Sequence, residues 1–289
     1  MFTNLFGKYL VSNKLITEDD LFSIKMENNR TKVKLGLIAV SEKLMTEKQA
    51  DQVNRKQQMM DKRFGDIAVE MGILTAAQVE RLLALQGNPY MQFCQCVTDK
   101  EILSLSEIEN ALASFQKENG FTSGDMEAIK SGDIDRILPL YLPQLPGGPL
   151  IDLLSVIFRS LIRLVSSDIS FSKGYTTSDY KTGAYAKQHI IGDYTATTVF
   201  SGDEKGILAV AEGFAKEFFN EVGVDALDSV GEFINIADGL FATAKSQEGM
   251  EINLEPPEYS TESVEITGSS LYIVPIELDQ QAVDLIIKL

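Results

Sequence analysis

Over the first 118 residues the apolar positions follow a pattern that recurs every 29 residues. Gly7, Gly36 and Gly65 are each 29 apart, and ten residues after each stands a threonine: Thr17, Thr46, Thr75. An apolar pair precedes every threonine (Leu15-Ile16, Leu44-Met45, Ile73-Leu74), and a fourth copy keeps the period with Cys94 in the glycine place and Ile102-Leu103-Ser104 in the threonine place. Each hydroxyl reads as a helix N-cap. Three residues on come Asp20, Gln49, Gln78 and Glu107, the spacing of a capping box, with Asp20 a shorter variant. Val79, Leu82, Leu83 and Gln86 then keep helical spacing, and the stretch from glycine to cap reads as a shorter helix ending near a glycine or lysine. One such helix pair cannot bury its apolar face alone, so the copies must pack on each other.

Residues 119–148 carry Gly120, Gly124, Gly132, Pro139, Pro143, Pro146, Gly147 and Gly148. That density breaks long helices and predicts a linker, with room for a short helix around 124–142 and a domain boundary at 143–149. Beyond it the pattern alternates between periods. A helix is expected over 150–165 and strand-like runs over 169–175, 184–191 and 194–201, with a hairpin turn at Ile191-Gly-Asp193. Helices follow over 206–221 and 225–245, and two apolar strands, 270–277 and 281–289, close the chain around Asp279-Gln280. The fold class is therefore α+β: an all-α repeat domain at 1–118, a linker at 119–148, and at 149–289 an α+β domain with an antiparallel sheet and two central helices.

Composition narrows the chemistry. Of 289 residues, 44% are hydrophobic and 24% charged, the balance of a globular chain, and no apolar run is long enough to span a bilayer. The start lacks a basic region followed by a long apolar core, so cytoplasmic residence is expected. Net charge is −16 and unevenly placed: residues 1–92 hold 13 Lys and Arg against 11 Asp and Glu, the remainder 13 against 31. The acidic part is poorly suited to a phosphate backbone, and a nucleic-acid role is not expected. Cys94 and Cys96 are the two cysteines and His189 the one histidine. They cannot complete a usual zinc site, and the cysteines read as small half-buried residues in a reducing compartment.

Asp228, Glu232, Asn235 and Gly239 are spaced four, three and four residues apart, which stacks them in one narrow stripe of the 225–245 helix. Val230, Phe233, Ile234, Ala237, Leu240 and Phe241 fall on the other side as a core-facing apolar face. The helix thus presents a carboxylate and an amide one turn apart, beside a glycine that leaves room for another surface. Such a pair can position water in a partner's active site; it is equally the composition of a solvated helix face.

The order of elements from about 146, with Asp228-x-x-x-Glu232-x-x-Asn235 and Pro256-Pro257 some twenty residues on, resembles the CheC/CheX family of chemotaxis phosphatases. The prolines stand slightly nearer to Asn235 than the family pattern, a shorter loop. The resemblance implies that Asn235 orients the water attacking the aspartyl phosphate of a CheY-like response regulator, and that Glu232 pairs with the regulator's active-site lysine. Asp228 and Gly239 would serve docking. The regulator would supply the phosphoaspartate, its Mg²⁺ and the lysine, so the resemblance implies no metal and no cofactor of this chain's own. A single motif favours the one-site CheX form, which resembles a dimer joined through its sheets. The expected activity is that of a protein aspartyl-phosphate phosphatase; the alternative is a non-catalytic signalling adaptor.

The third repeat, Arg63-Phe-Gly65-x-x-Ala-Val-x-x-Gly72-Ile-Leu with Val79, Leu83 and Gln86, resembles a unit of the N-terminal domain of type II secretion and pilus assembly ATPases. Some of those domains bind cyclic di-GMP through two tandem units. The resemblance implies nucleotide candidates Arg63, Gly65, Gly72 and Gln86 in one copy and Lys34 and Gly36 in the preceding one, where Lys43 stands in place of the second glycine. The other reading of the repeats is packing or partner docking. No P-loop pattern G-x-x-x-x-G-K-[ST] is present, so no ATPase is expected.

Overall fold

The computed structural model describes residues 1–28, 32–60, 62–142 and 148–289. The chain divides into two compact units, Phe2–Gly132 and Asp133–Leu289 together with Met1.

The first unit holds helices α1 (Phe2–Ser12), α2 (Glu18–Asn28), α3 (Leu35–Ser41), α4 (Glu47–Gln57), α5 (Phe64–Glu70), α6 (Ala76–Ala84), α7 (Pro89–Asp99), α8 (Leu105–Asn119) and α9 (Ser123–Ser131). The short-then-long alternation follows the 29-residue period. At the second copy the Thr46 hydroxyl accepts from the Gln49 N–H at 3.3 Å, and the Thr46 N–H donates to Gln49 Oε1 at 2.8 Å. Thr75 with Gln78, Ser104 with Glu107 and Thr17 with Asp20 repeat the arrangement. Hydrogen bonds from the hydroxyl and then the N–H of the cap hold the Asp20 and Glu107 carboxyls below their usual range.

Each first helix ends the same way. Lys14, Lys43, Gly72 and Glu101 stand 29 residues apart and all have φ between 55° and 67°. At each, the next N–H reaches back five residues, as from Leu44 to the Ala39 carbonyl at 2.9 Å and from Ile73 to the Ala68 carbonyl at 3.0 Å. This is a Schellman ending, which costs a residue with a Cβ about 1 kcal/mol relative to glycine. Lys43→Gly is therefore expected to stabilise the full chain by about 1 kcal/mol, and Gly72→Ala to destabilise it similarly; thermal unfolding of both variants checks the sign. The glycines that open the copies have another reason. A Cβ on Gly65 would lie 2.7 Å from Val79 Cγ1, and one on Gly7 2.3 Å from Leu21 Cδ1, so the missing Cβ lets the second helix close on the first. Phe2, Phe6 and Phe93 pack with ring centroids 5.4–5.7 Å apart at the centre of the unit. Cys94 and Cys96 are fully buried rather than half-buried, and burial pushes the Cys94 thiol up to about 12.

The segment 119–148, expected as a linker, contains α9 and α10 (Ile134–Tyr141), capped by Thr122 and Asp133. Residues 143–147, at the expected boundary, lie outside the described residues.

The second unit continues from α10 to α11 (Pro149–Ser160), which runs into a π-helical turn at Leu161–Val165. Then come β1 (Ile169–Phe171), β2 (Tyr175–Lys181), β3 (Ala184–Gly192), β4 (Ala196–Gly202), α12 (Glu204–Ala215), α13 (Val224–Gln247), β5 (Ile252–Leu254), β6 (Glu258–Ser260), β7 (Glu265–Leu278) and β8 (Gln281–Lys288). The strands form one antiparallel sheet in the order β1-β7-β8-β4-β3-β5, with β2 also on β7 and β6 also on β3. Asp279 and Gln280, both at positive φ, turn the β7–β8 hairpin. The fold is α+β with two central helices, as expected.

Burial explains the layering. From α13, Val230, Phe233, Ile234, Ala237 and Phe241 are wholly enclosed; Phe233 meets Phe200 of β4 and Phe214 of α12 edge-on. The other sheet face carries its own cluster of Tyr185, Val199, Leu271, Ile273 and Ile286. At the end of α13, buried Lys245 pairs with Asp152 of α11 and with Glu248 at 2.8 Å. The helix expected over 206–221 instead stops at Ala215, because Lys216 adopts φ 59° and its ammonium caps the Val165 carbonyl at 3.0 Å.

Candidate functional site: an exposed stripe on α13

The rear of α13 is anchored in the core, so the direction of its front is fixed. Asp228, Glu232 and Asn235 are exposed and Gly239 is half-buried, in line along the helix. Glu232 makes no hydrogen bond or ion pair with the described residues and its carboxylate stands free in solvent. Asp228 faces Tyr259 of β6; partial burial, then the Asp228 charge and hydrogen bond, hold the Tyr259 phenol above its usual range. The helix N-cap is Gly223, without a side-chain cap, and Asp225 lies in the first turn, where a carboxylate favours the helix dipole. A Cβ on Gly239 would touch only Leu254 Cδ1, at 3.9 Å, so packing does not require glycine there. At Gly231 the same atom would come within 3.1 Å of Pro257 Cβ: Pro257, after β5, lies against α13 next to Glu232.

Leu240 is 41% exposed, not part of the core face. At 100° per residue it sits about 100° from the centre of the stripe, where the buried arc ends. Ile236, equally exposed, lies beside it, so the polar stripe has an apolar margin.

Beneath the stripe lies a buried polar row that the sequence reading missed. Gln188 of β3 is completely enclosed and donates from Nε2 to Asn235 Oδ1 at 2.7 Å and to the Glu255 carbonyl at 2.8 Å. Its cross-strand neighbour Thr198 donates to Asp238 Oδ1 at 3.0 Å. Asp238 is also completely buried, and burial pushes its carboxyl up to about 8, against the opposing pull of the Thr198 hydrogen bond. Gln188 Oε1 and Asp238 Oδ2 have no partner among the described residues. The signal for Gln188 was strand parity: it shares its side of β3 with Ala186 and Ile190, both core residues.

The first unit has a separate concavity of about 1160 Å³, between the second and third repeat copies. Lys34, Gly36, Arg63, Gly65 and Gln86 line it, together with Gln57. Gly72 does not; its left-handed backbone explains the glycine instead. The two copies hold each other reciprocally: Gln86 Nε2 donates to the Val33 carbonyl at 2.9 Å and Gln57 Nε2 to the Lys62 carbonyl at 3.1 Å. Lys34 pairs with Asp99 at 2.7 Å, whereas Arg63 is exposed without an ion-pair partner among the described residues. Glu47, Asp51 and Asp66 add acidic groups to the lining. Among the described residues no group of His, Cys, Asp and Glu could hold a metal ion, and no helix is long and apolar enough to cross a membrane.

Residues 184–277, from the start of β3 to the end of β7 and including all of α13, match the family described as chemotaxis phosphatase CheX. None of the curated proteins compared with the chain matches it. Among solved structures, the chemotaxis protein CheX from Desulfovibrio desulfuricans is 16% identical, with a TM-score of 0.41, over 48% of this chain and 97% of that one. A CheC-like superfamily protein from Shewanella sp. PV-4 is 16% identical, with a TM-score of 0.43, over 49% and 97%. A chain of the CheX–CheY–BeF3–Mg²⁺ complex from Borrelia burgdorferi is 18% identical, with a TM-score of 0.39, over 49% and 97%.

Proposed function

We propose that the second unit accelerates hydrolysis of the aspartyl phosphate of a CheY-type response regulator, with Asn235 and Glu232 entering the regulator's active site. The observation that carries this is the geometry of α13: a free carboxylate and an amide stand one turn apart in solvent, on a helix whose other side is immobilised in the core. Phosphoryl transfer demands in-line placement of water more than covalent participation, and a rigid helix supplies placement. The Asn235 amide keeps both N–H groups and one lone pair after its bond to Gln188, enough to hold a water and a phosphoryl oxygen together. Glu232, with no partner among the described residues, is available to a lysine. Mg²⁺ belongs to the regulator. The match to the CheX family over this region supports the same reading. Phosphate release from a CheY-type regulator, phosphorylated with acetyl phosphate, is expected to quicken when the full chain is added; an unchanged rate with every regulator tried, including those of the same cell, overturns the assignment.

A second reading concerns the first unit, as a receiver of cyclic di-GMP. The concavity between the second and third copies gathers five of the six nucleotide candidates, with Arg63 left unpaired among the described residues. Glycine packing against Val79 accounts for Gly65 without any ligand, and the acidic lining opposes an anion, so binding must depend on Arg63 and Lys34. Calorimetric titration of the full chain with cyclic di-GMP is expected to saturate, and Arg63→Ala to weaken it; no saturable heat up to roughly 100 times a micromolar Kd removes this reading.

A further inference from the structure

Gln188 lies at a core-facing position of β3 and is fully enclosed, yet its single amide oxygen has no partner among the described residues. An apolar side chain would fill that place without the desolvation cost. What the amide contributes is orientation. The Glu255 carbonyl, 2.8 Å from the Gln188 amide, can only accept a hydrogen bond, so Gln188 must turn its NH₂ toward it. The same NH₂ then faces Asn235 at 2.7 Å, and Asn235 must answer with its oxygen. The opposite flip of either amide would set oxygen against oxygen or NH₂ against NH₂. Glu255 is itself held, its N–H bonded to the His189 carbonyl at 3.0 Å. The order of constraint runs from the strand backbone through Glu255 and Gln188 to the exposed amide of Asn235.

We propose that Gln188 is the positioning residue of the α13 site, locking the Asn235 amide with its oxygen inward and its NH₂ outward, as a donor to the phosphoryl group. The inference rests on the phosphatase reading. Gln188 touches neither the regulator nor the phosphate; it acts by removing the second flip state and the rotamer freedom of Asn235 before the partner arrives.

The test compares wild type, Gln188→Leu and Asn235→Ala as full chains, with an acetyl-phosphate-charged CheY-type regulator as substrate. Gln188→Leu is expected to lower kcat about tenfold, the worth of one well-made hydrogen bond, with KM within about twofold because the docking surface is untouched. In wild type the Gln188 side-chain NH₂ is expected to be protected from solvent exchange, and the Asn235 carboxamide to give one sharp pair of ¹⁵N–¹H signals that broadens or shifts in Gln188→Leu. Unchanged kcat in Gln188→Leu, while Asn235→Ala abolishes acceleration, overturns the positioning role and leaves the phosphatase reading intact. Unchanged rate in Asn235→Ala overturns the reading and the inference together. Should Gln188→Leu fail to fold, rapid exchange of the Gln188 NH₂ in wild type is enough to reject the lock.

Discussion

Asn235→Ala is expected to reduce the acceleration of regulator dephosphorylation by about 10²-fold or more. The side chain lies in solvent on a helix that the core holds by its other face, so truncation leaves the packing alone. What it removes, on the proposed reading, is the donor and acceptor that would place the water. Stability should change by no more than about 1 kcal/mol, chiefly from the lost Gln188 hydrogen bond. Glu232→Ala should differ in kind, raising KM as the proposed contact with the regulator's lysine is lost. Single-turnover phosphate release, paired with thermal unfolding of each variant, separates loss of chemistry from loss of fold. If Asn235→Ala retains wild-type rates, the amide places no water.

The second large effect lies one turn further along α13, on its buried side. Asp238 is enclosed beneath the helix, and burial raises its carboxyl to about 8 against an ordinary 3.8. Between those values the folded chain holds a proton that the unfolded chain has released. Stability therefore falls as pH rises through this window, by at most about 1.4 kcal/mol per pH unit, and levels off above it. Water penetration reduces the slope, so a total loss of a few kcal/mol between pH 5 and 9 is expected. Asp238→Asn retains an acceptor for Thr198 and cannot ionise. It should remove most of this slope and exceed wild type in stability above pH 8. Calorimetry of both chains at pH 5, 7 and 9 reads the difference; parallel pH profiles would mean that Asp238 is ionised in the folded state. Asp20 and Glu107, lowered by their caps, act oppositely and only at acid pH, so they cancel in the comparison.

The two features that the sequence displayed best were both local. A capping box is closed by residues three apart, and all four expected boxes form, because nothing beyond one helical turn is needed to make them. The stripe of Asp228, Glu232, Asn235 and Gly239 was equally legible, since 100° per residue fixes which side chains share a face. Leu240 shows where that rule stops: a residue at the margin is assigned by whatever packs beside the helix, and Leu240 is left partly exposed there. The strands β2, β5 and β6 were invisible for a related reason. Tyr175–Lys181 alternates no apolar residues, and β5 and β6 are three residues long; each is a strand because β7 or β3 offers it a free edge.

Periodicity by itself determined the 29-residue helix pairs, the α+β succession and the outward face of α13, because each depends on contacts within a turn or two of chain. Only the tertiary structure decided that Gly72 serves a left-handed helix end rather than the concavity, that 123–141 holds two capped helices rather than one short one, and that Gln188 and Asp238 lie under the exposed amide. Gln188 and Asn235 stand 47 residues apart, and their hydrogen bond exists because β3 passes beneath α13 at that one position. Sequence spacing carries no information about such a meeting; the packing of a helix on a sheet creates it.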